Sequence, residues 1–102
     1  MEISWTLTVN GREEWRSWLE VNHDREREIW LVFYRKATGK QTVSLPVAQD
    51  EATCFGRVES TEKKIDRERY ALRFTPRKPG THWSEGNLSR VRRLIAEGTM
   101  TV

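Results

Sequence analysis

The chain has 102 residues, 36% of them apolar and 32% charged, with five Trp, three Phe and two Tyr supplying large side chains for a small core. Its net charge of +3 is unevenly spread: residues 1–56 carry seven Lys/Arg against nine Asp/Glu, and residues 57–102 carry eleven against six. This length excludes two independent cores, the interspersed charges argue against disorder, no apolar run approaches the ~20 residues of a membrane-spanning helix, and a single cysteine, Cys54, excludes an internal disulfide.

The opening MEISWTLTVN has no basic stretch followed by an apolar one, so a cytoplasmic location is the default expectation. Residues 3–9 alternate, with Ile3, Trp5, Leu7 and Val9 on one side and Ser4, Thr6 and Thr8 on the other, the pattern of a half-buried strand. Asn10 stands where it can cap a helix over 11–22, with Glu13 three residues on. Trp15, Trp18, Leu19 and Asn22 recur on one face of that helix, a spacing that marks core anchors rather than a ligand platform. The segment EIWLVFYRKA is apolar on both alternating faces, which predicts a strand over 28–37 inside the sheet.

ATGKQT reads as a loop, and Pro46 opens a second helix over 46–55 whose buried side is Ala48, Ala52 and Phe55, with Gly56 just past its end. Cys54 falls within this apolar pattern, as a buried structural thiol would. Two strands follow, 57–65 and 69–76, reversed by the three residues Asp66, Arg67 and Glu68. The first arm is polar enough to be an edge strand, blunted by Lys63 and Lys64. In the second, Tyr70, Leu72 and Phe74 face the core while Ala71, Arg73 and Thr75 face away. TPRKPGTHW is an irregular loop. Ser84 then caps a last helix over 84–97, with Leu88, Val91, Leu94 and Ile95 as its apolar stripe and Gly98 closing it. The expected fold is α+β: about four strands in a small mixed or antiparallel sheet, covered by about three helices. Trp15, Trp18, Trp30, Phe55, Phe74 and Trp83 are expected to meet in one core.

The stretch EATCFGRVESTEKKIDRERYALRFTPRKPGTHWSEGNLSRVRRLIAEGTM resembles the central signature of the bacteriocin-protection (YdeI/OmpD-associated) family, and EEWRSWLEVNH with EIWLVFYRKATGK resembles its upstream part. The resemblance runs over roughly residues 12–101. It rests on the FG turn after a helix, RFTPRKPG, then WS and an Asn three residues beyond the Ser. Two positions depart from the family pattern: Arg57 stands where an aromatic is usual, and Glu59 where an Asp is usual. The family's name implies protection from toxic peptides and an outer-membrane association. Members of that family continue past the EGTM position with a further helical segment, which implies an exposed apolar strip here and self-association into a homo-oligomer.

Catalytic constellations are scarce. His23 and His82 have no metal-ligand partner at helical spacing, one cysteine makes no CxxC, and no metal site or cofactor motif is present. The cluster that stands out is Arg73, Arg77, Lys78, His82, Trp83, Ser84 and Asn87, where guanidinium groups, a Pro-Gly turn and a helix start could hold an anion. The structural alternative is that Trp83 plugs the core, Asn87 bonds the loop and Arg77 pairs with Glu59 or Glu85. The expected function is a binding module for an anionic ligand or partner, a small molecule or nucleic acid. The alternative is an enzyme acting on a small anionic metabolite in a pocket around Glu59, Ser60 and Arg77.

Overall fold

A computed structural model describes residues 2–40, 42–77 and 84–101. Strand β1 (Thr6–Leu7) leads through helix α1 (Arg12–Asn22) to β2 (Ile29–Tyr34). A single 3-10 turn (Lys36–Thr38) and a loop precede helix α2 (Leu45–Cys54), the hairpin of β3 (Arg57–Lys64) and β4 (Arg69–Pro76), and helix α3 (Glu85–Glu97). The four strands form one mixed sheet in the order β1-β2-β4-β3, with β1 parallel to β2 and the other pairs antiparallel. This is the α+β arrangement expected: β2 lies inside the sheet and the lysine-bearing β3 forms its edge. The parallel pair needs a crossover, which α1 supplies. None of the described helices is long and apolar enough to cross a membrane.

Local chemistry sets the joints. Ser84 caps α3 by accepting the Asn87 backbone N–H at 3.2 Å, and Gly98 ends that helix at φ 76°, a left-handed conformation that favours glycine. The hairpin turns on Asp66, whose Oδ1 accepts the N–H groups of Glu68 and Arg69 at 2.9 and 2.8 Å. Asp66 also takes the Arg69 guanidinium on its other oxygen.

Three local expectations change. The first strand shrinks from 3–9 to two residues, because only Thr6 and Leu7 pair with β2; Trp5 stays 42% exposed and leans on Trp18, ring centroids 5.9 Å apart. The second strand stops at Tyr34, because the Thr38 N–H and hydroxyl both donate to the Arg35 carbonyl and wind the chain into a turn. Asn10 does not cap α1 with its side chain. Gly11 takes the cap position, and the Asn10 backbone N–H instead donates to Glu14 at 2.8 Å.

All three helices cover one face of the sheet. Ile29, Leu31 and Phe33 from β2, with Leu72 and Phe74 from β4, meet Trp15 and Leu19 of α1, Ala48 and Ala52 of α2, and Leu94 of α3. Trp15 is the anchor: its ring stacks on Trp18 at 5.6 Å, contacts Phe74 at 5.5 Å, and its indole N–H donates to the Ala48 carbonyl at 3.1 Å. The small side chain of Ala48 permits that approach.

One core does not hold all the expected aromatics. Trp30 is fully buried but on the opposite face, in register with Arg73, beside Val32 and Ala71. Ala71 therefore faces away from the helices, as read, and is nonetheless buried. The Trp83 expectation lies outside the described residues. The apolar stripe of α3 turns inward at Leu94 and leaves Ile95 60% exposed.

Ion pairs join the helical layer. The buried Glu51 of α2 accepts Arg16 of α1 at 2.7 Å and also pairs with Arg12 at 3.3 Å. The Arg16 guanidinium lies over the Phe55 ring and donates to the Thr99 carbonyl, drawing the segment after α3 onto α1. Met100 packs on the core there, and the Thr101 N–H donates to the Cys54 carbonyl at 3.1 Å. Trp15→Ala, which removes a fully buried ring and its hydrogen bond, is expected to cost about 3–5 kcal/mol in urea denaturation.

Candidate functional site

The site begins where α2 ends. Phe55 closes the helix and Gly56, at φ 71°, turns the chain directly into β3. The first residue of that strand, Arg57, stands opposite Pro76 on the helix-covered side of the sheet. A guanidinium is thereby driven into the interior.

Arg57 is 1% exposed. Its Nη2 donates to the His23 carbonyl at 2.8 Å and to the Glu26 carbonyl, at the end of α1 and in the turn beyond it. A helix C-terminus carries partial negative charge and carbonyls without partners, so a cation is welcome there. Even so, Nε and Nη1 have no hydrogen-bond partner. Burial lowers the Arg57 pKa from its usual value, opposed by the charge of Glu26. A cation in this position meets the desolvation cost with Glu26 offsetting it through charge alone and, among the described residues, no carboxylate in ion-pair contact.

A cavity of about 60 Å³ borders this residue. Gln49 and Thr53 of α2 form one wall, Arg57 and Glu59 of β3 another, and Asn87 and Arg90 of α3 the third, over a floor of Val58 and Phe74. The polar groups around it are linked. Arg90 donates to the Asn87 side-chain oxygen at 2.9 Å and to the Gln49 side-chain oxygen at 3.1 Å, and the Gln49 amide donates to Glu59. Asp50 holds Arg90 at 3.3 Å and Arg93 at 2.6 Å, which fixes the middle of α3 against α2.

This geometry merges two sets of residues that the sequence kept apart. Asn87, from the helix-start cluster, and Glu59, from the alternative pocket, line the same cavity. Ser84 is exposed and caps α3. Arg77 follows β4, and its backbone N–H donates to the Gly56 carbonyl at 2.9 Å, so the loop leaves the sheet beside the FG turn. Lys78, His82 and Trp83 lie outside the described residues.

Arg73 and Ser60 are not part of this cavity. Arg73 is on the opposite face of the sheet, donating to Glu28 at 2.7 Å. Ser60 occupies a β-bulge: Glu59 pairs with Phe74 and Thr61 with Arg73, leaving Ser60 between them with its hydroxyl 3.4 Å from Arg73. Of Glu59, Ser60 and Arg77, Glu59 alone lines this cavity. The residues missed by sequence reasoning are Gln49, Thr53, Arg57 and Arg90. Only Arg57 carried a signal, as a charge directly after the FG turn.

Among the described residues no three His, Cys, Asp or Glu side chains come together as metal ligands. The model of one family, a domain of unknown function (DUF8412), matches residues 7–102. The chain belongs to that family. No curated protein and no solved structure matches it. The match to the DUF8412 model takes in every residue that lines the cavity.

On the other face of this DUF8412 domain, the Arg73 hydrogen bond holds the Glu28 carboxyl below its usual pKa of 4.5. A depressed carboxylate pKa contributes stability above the unfolded value and loses it as pH falls through the folded one. Glu28→Gln is therefore expected to be less stable than wild type at neutral pH. The gap should close as pH drops below 4.5, read from urea melts of both proteins across that range.

Proposed function

We propose that this domain is a binding module for an anionic ligand, held at the cavity between α2, β3 and the start of α3. The observation that carries the reading is Arg57, a fully buried guanidinium with two nitrogens lacking acceptors beside a polar cavity. Leaving a buried donor unsatisfied costs about 1–3 kcal/mol. Those nitrogens are closed to water, so an anion in the adjoining cavity would offset the charge from there and would remove that cost once the guanidinium turned toward it. The start of α3 and Arg90 bring positive charge to the far wall, set against Asp50, which pairs with Arg90, and Glu59 on the opposite wall.

The size of the cavity limits what enters. About 60 Å³ is on the order of two water molecules, enough for a carboxylate or a small inorganic anion and too little for a nucleotide. A larger partner would insert one anionic group and leave its body outside. Stacking on single-stranded nucleic acid has less support: among the exposed large apolar side chains described, Trp5 alone is aromatic. The enzyme alternative has less support among the described residues, where Glu59 bonds Gln49 and Ser60 lies in the bulge. Kinship with the YdeI/OmpD-associated family is part of the same proposal, supported by the FG turn, RFTPRKPG and the WS start of α3.

Titration of acetate, phosphate and sulfate into the protein tests the reading. At an anion concentration about 100 times Kd the fold should gain about 2.7 kcal/mol, a rise in melting temperature on the order of 10 °C for a domain of this size. Arg90→Ala and Asn87→Ala are expected to weaken the effect while keeping the fold. The proposal is lost if no anion raises the melting temperature or produces heat in calorimetry.

A further inference from the structure

A second and much larger cavity, about 600 Å³, lies at the other end of α2. It opens between the end of β2, the loop that follows, the first residues of α2 and Tyr70 of β4, and shares no residue with the cavity beside Arg57. Its volume falls in the range of small-molecule sites.

The chemistry of the walls is divided. Phe33 and Tyr70 supply an aromatic wall, their rings stacked 5.5 Å apart at 17°, with Val43 and Leu45 continuing the apolar surface. The cationic side is Lys36 and Lys40, both exposed lining residues. Lys40 lies 5.5 Å from the Tyr34 ring centroid and pairs with Glu68 at 3.2 Å, whereas Lys36 has no carboxylate partner among the described residues. Arg35 adds a guanidinium over the outer part of Tyr70, 5.3 Å from its ring centroid.

The start of α2 contributes on the same side. Ser44 occupies the cap position but its side chain makes no cap hydrogen bond, in contrast to Ser84 of α3. The Leu45 and Val47 N–H groups are thus left without a side-chain cap, at the positive end of a ten-residue helix.

From this arrangement we infer that the cavity binds a small organic anion with a planar apolar body. The body lies against Phe33, Tyr70 and Leu45, and the carboxylate, phosphate or sulfonate meets Lys36, Lys40 and the start of α2. The apolar wall selects for the body by area removed from water, and the lysines select for charge. An uncharged body of the same shape leaves the lysines unused.

Two probes differing only in charge test this: 1-anilinonaphthalene-8-sulfonate and its uncharged analogue N-phenyl-1-naphthylamine, each followed by fluorescence on binding to the full chain. The sulfonate is expected to bind at least tenfold more tightly. Lys36→Ala, which breaks no ion pair among the described residues, should weaken the sulfonate several-fold and leave the neutral analogue unchanged, and Leu45→Glu should weaken both. Arg90→Ala, at the other cavity, should change neither, which keeps this result independent of the anion titrations. Equal affinity for the two probes, or a Lys36→Ala protein that binds the sulfonate like wild type, overturns the inference. So does the absence of any fluorescence gain.

Discussion

The burial of the Arg57 guanidinium against two backbone carbonyls is the constraint on which this arrangement depends. Nη2 reaches back to His23 and Glu26, so one side chain ties the end of α1 and the turn before β2 to the first residue of β3. The strand is aimed there by Gly56, whose left-handed backbone allows α2 to end and β3 to begin within a single residue. An aromatic at this position would fill the space by packing. An arginine fills it with a charge that requires acceptors, and the two it finds satisfy only one of its three nitrogens. The neighbouring cavity is polar through Gln49, Glu59, Asn87 and Arg90, which bond one another.

Around this point the helices are fixed by charge as much as by apolar contact. Glu51 draws α1 to α2 through Arg16 and Arg12, and Asp50 draws α3 to α2 through Arg90 and Arg93. These two acidic residues are adjacent on α2 and project toward different helices, so α2 is the hub of the helical layer. Its amphipathic pattern is weak for that reason: both flanks carry polar contacts, and its core face is built from Ala48 and Ala52, small residues that admit Trp15 rather than large ones that fill space. Its two ends then serve the two cavities, Gln49 and Thr53 facing one and Ser44 and Leu45 the other.

The sheet separates residues that look contiguous in the chain. Arg73 and Phe74 are neighbours, yet Phe74 is under Trp15 while Arg73 reaches Glu28 on the far side. Glu59 and Thr61 would share a face in a regular strand; the bulge at Ser60 places them against Phe74 and Arg73, on opposite faces. A cluster read along the sequence through Arg73, Arg77, Ser84 and Asn87 is therefore divided by the sheet.

The sequence by itself determined what depends on near neighbours. Element types and most boundaries followed from period and punctuation: strand 69–76 and the Ser84 cap agree with the structure, and helices α1, α2 and α3 agree to within one residue at each end, because caps, glycines and alternation act over a few residues. The edge position of β3 was legible for the same reason, from its own polarity. Tertiary structure alone decided what depends on distant partners. It set the length of β1, which only two pairs with β2 sustain, the burial of Trp30 on the second face, and the gathering of Gln49, Arg57, Glu59, Asn87 and Arg90 around one cavity. Those five residues come from three elements whose approach is fixed by long-range packing, and no periodicity within one segment encodes a distance to another. Arg57 shows the boundary between the two: its charge was visible in the chain, and only the fold revealed which carbonyls it meets and which of its nitrogens are left without a partner.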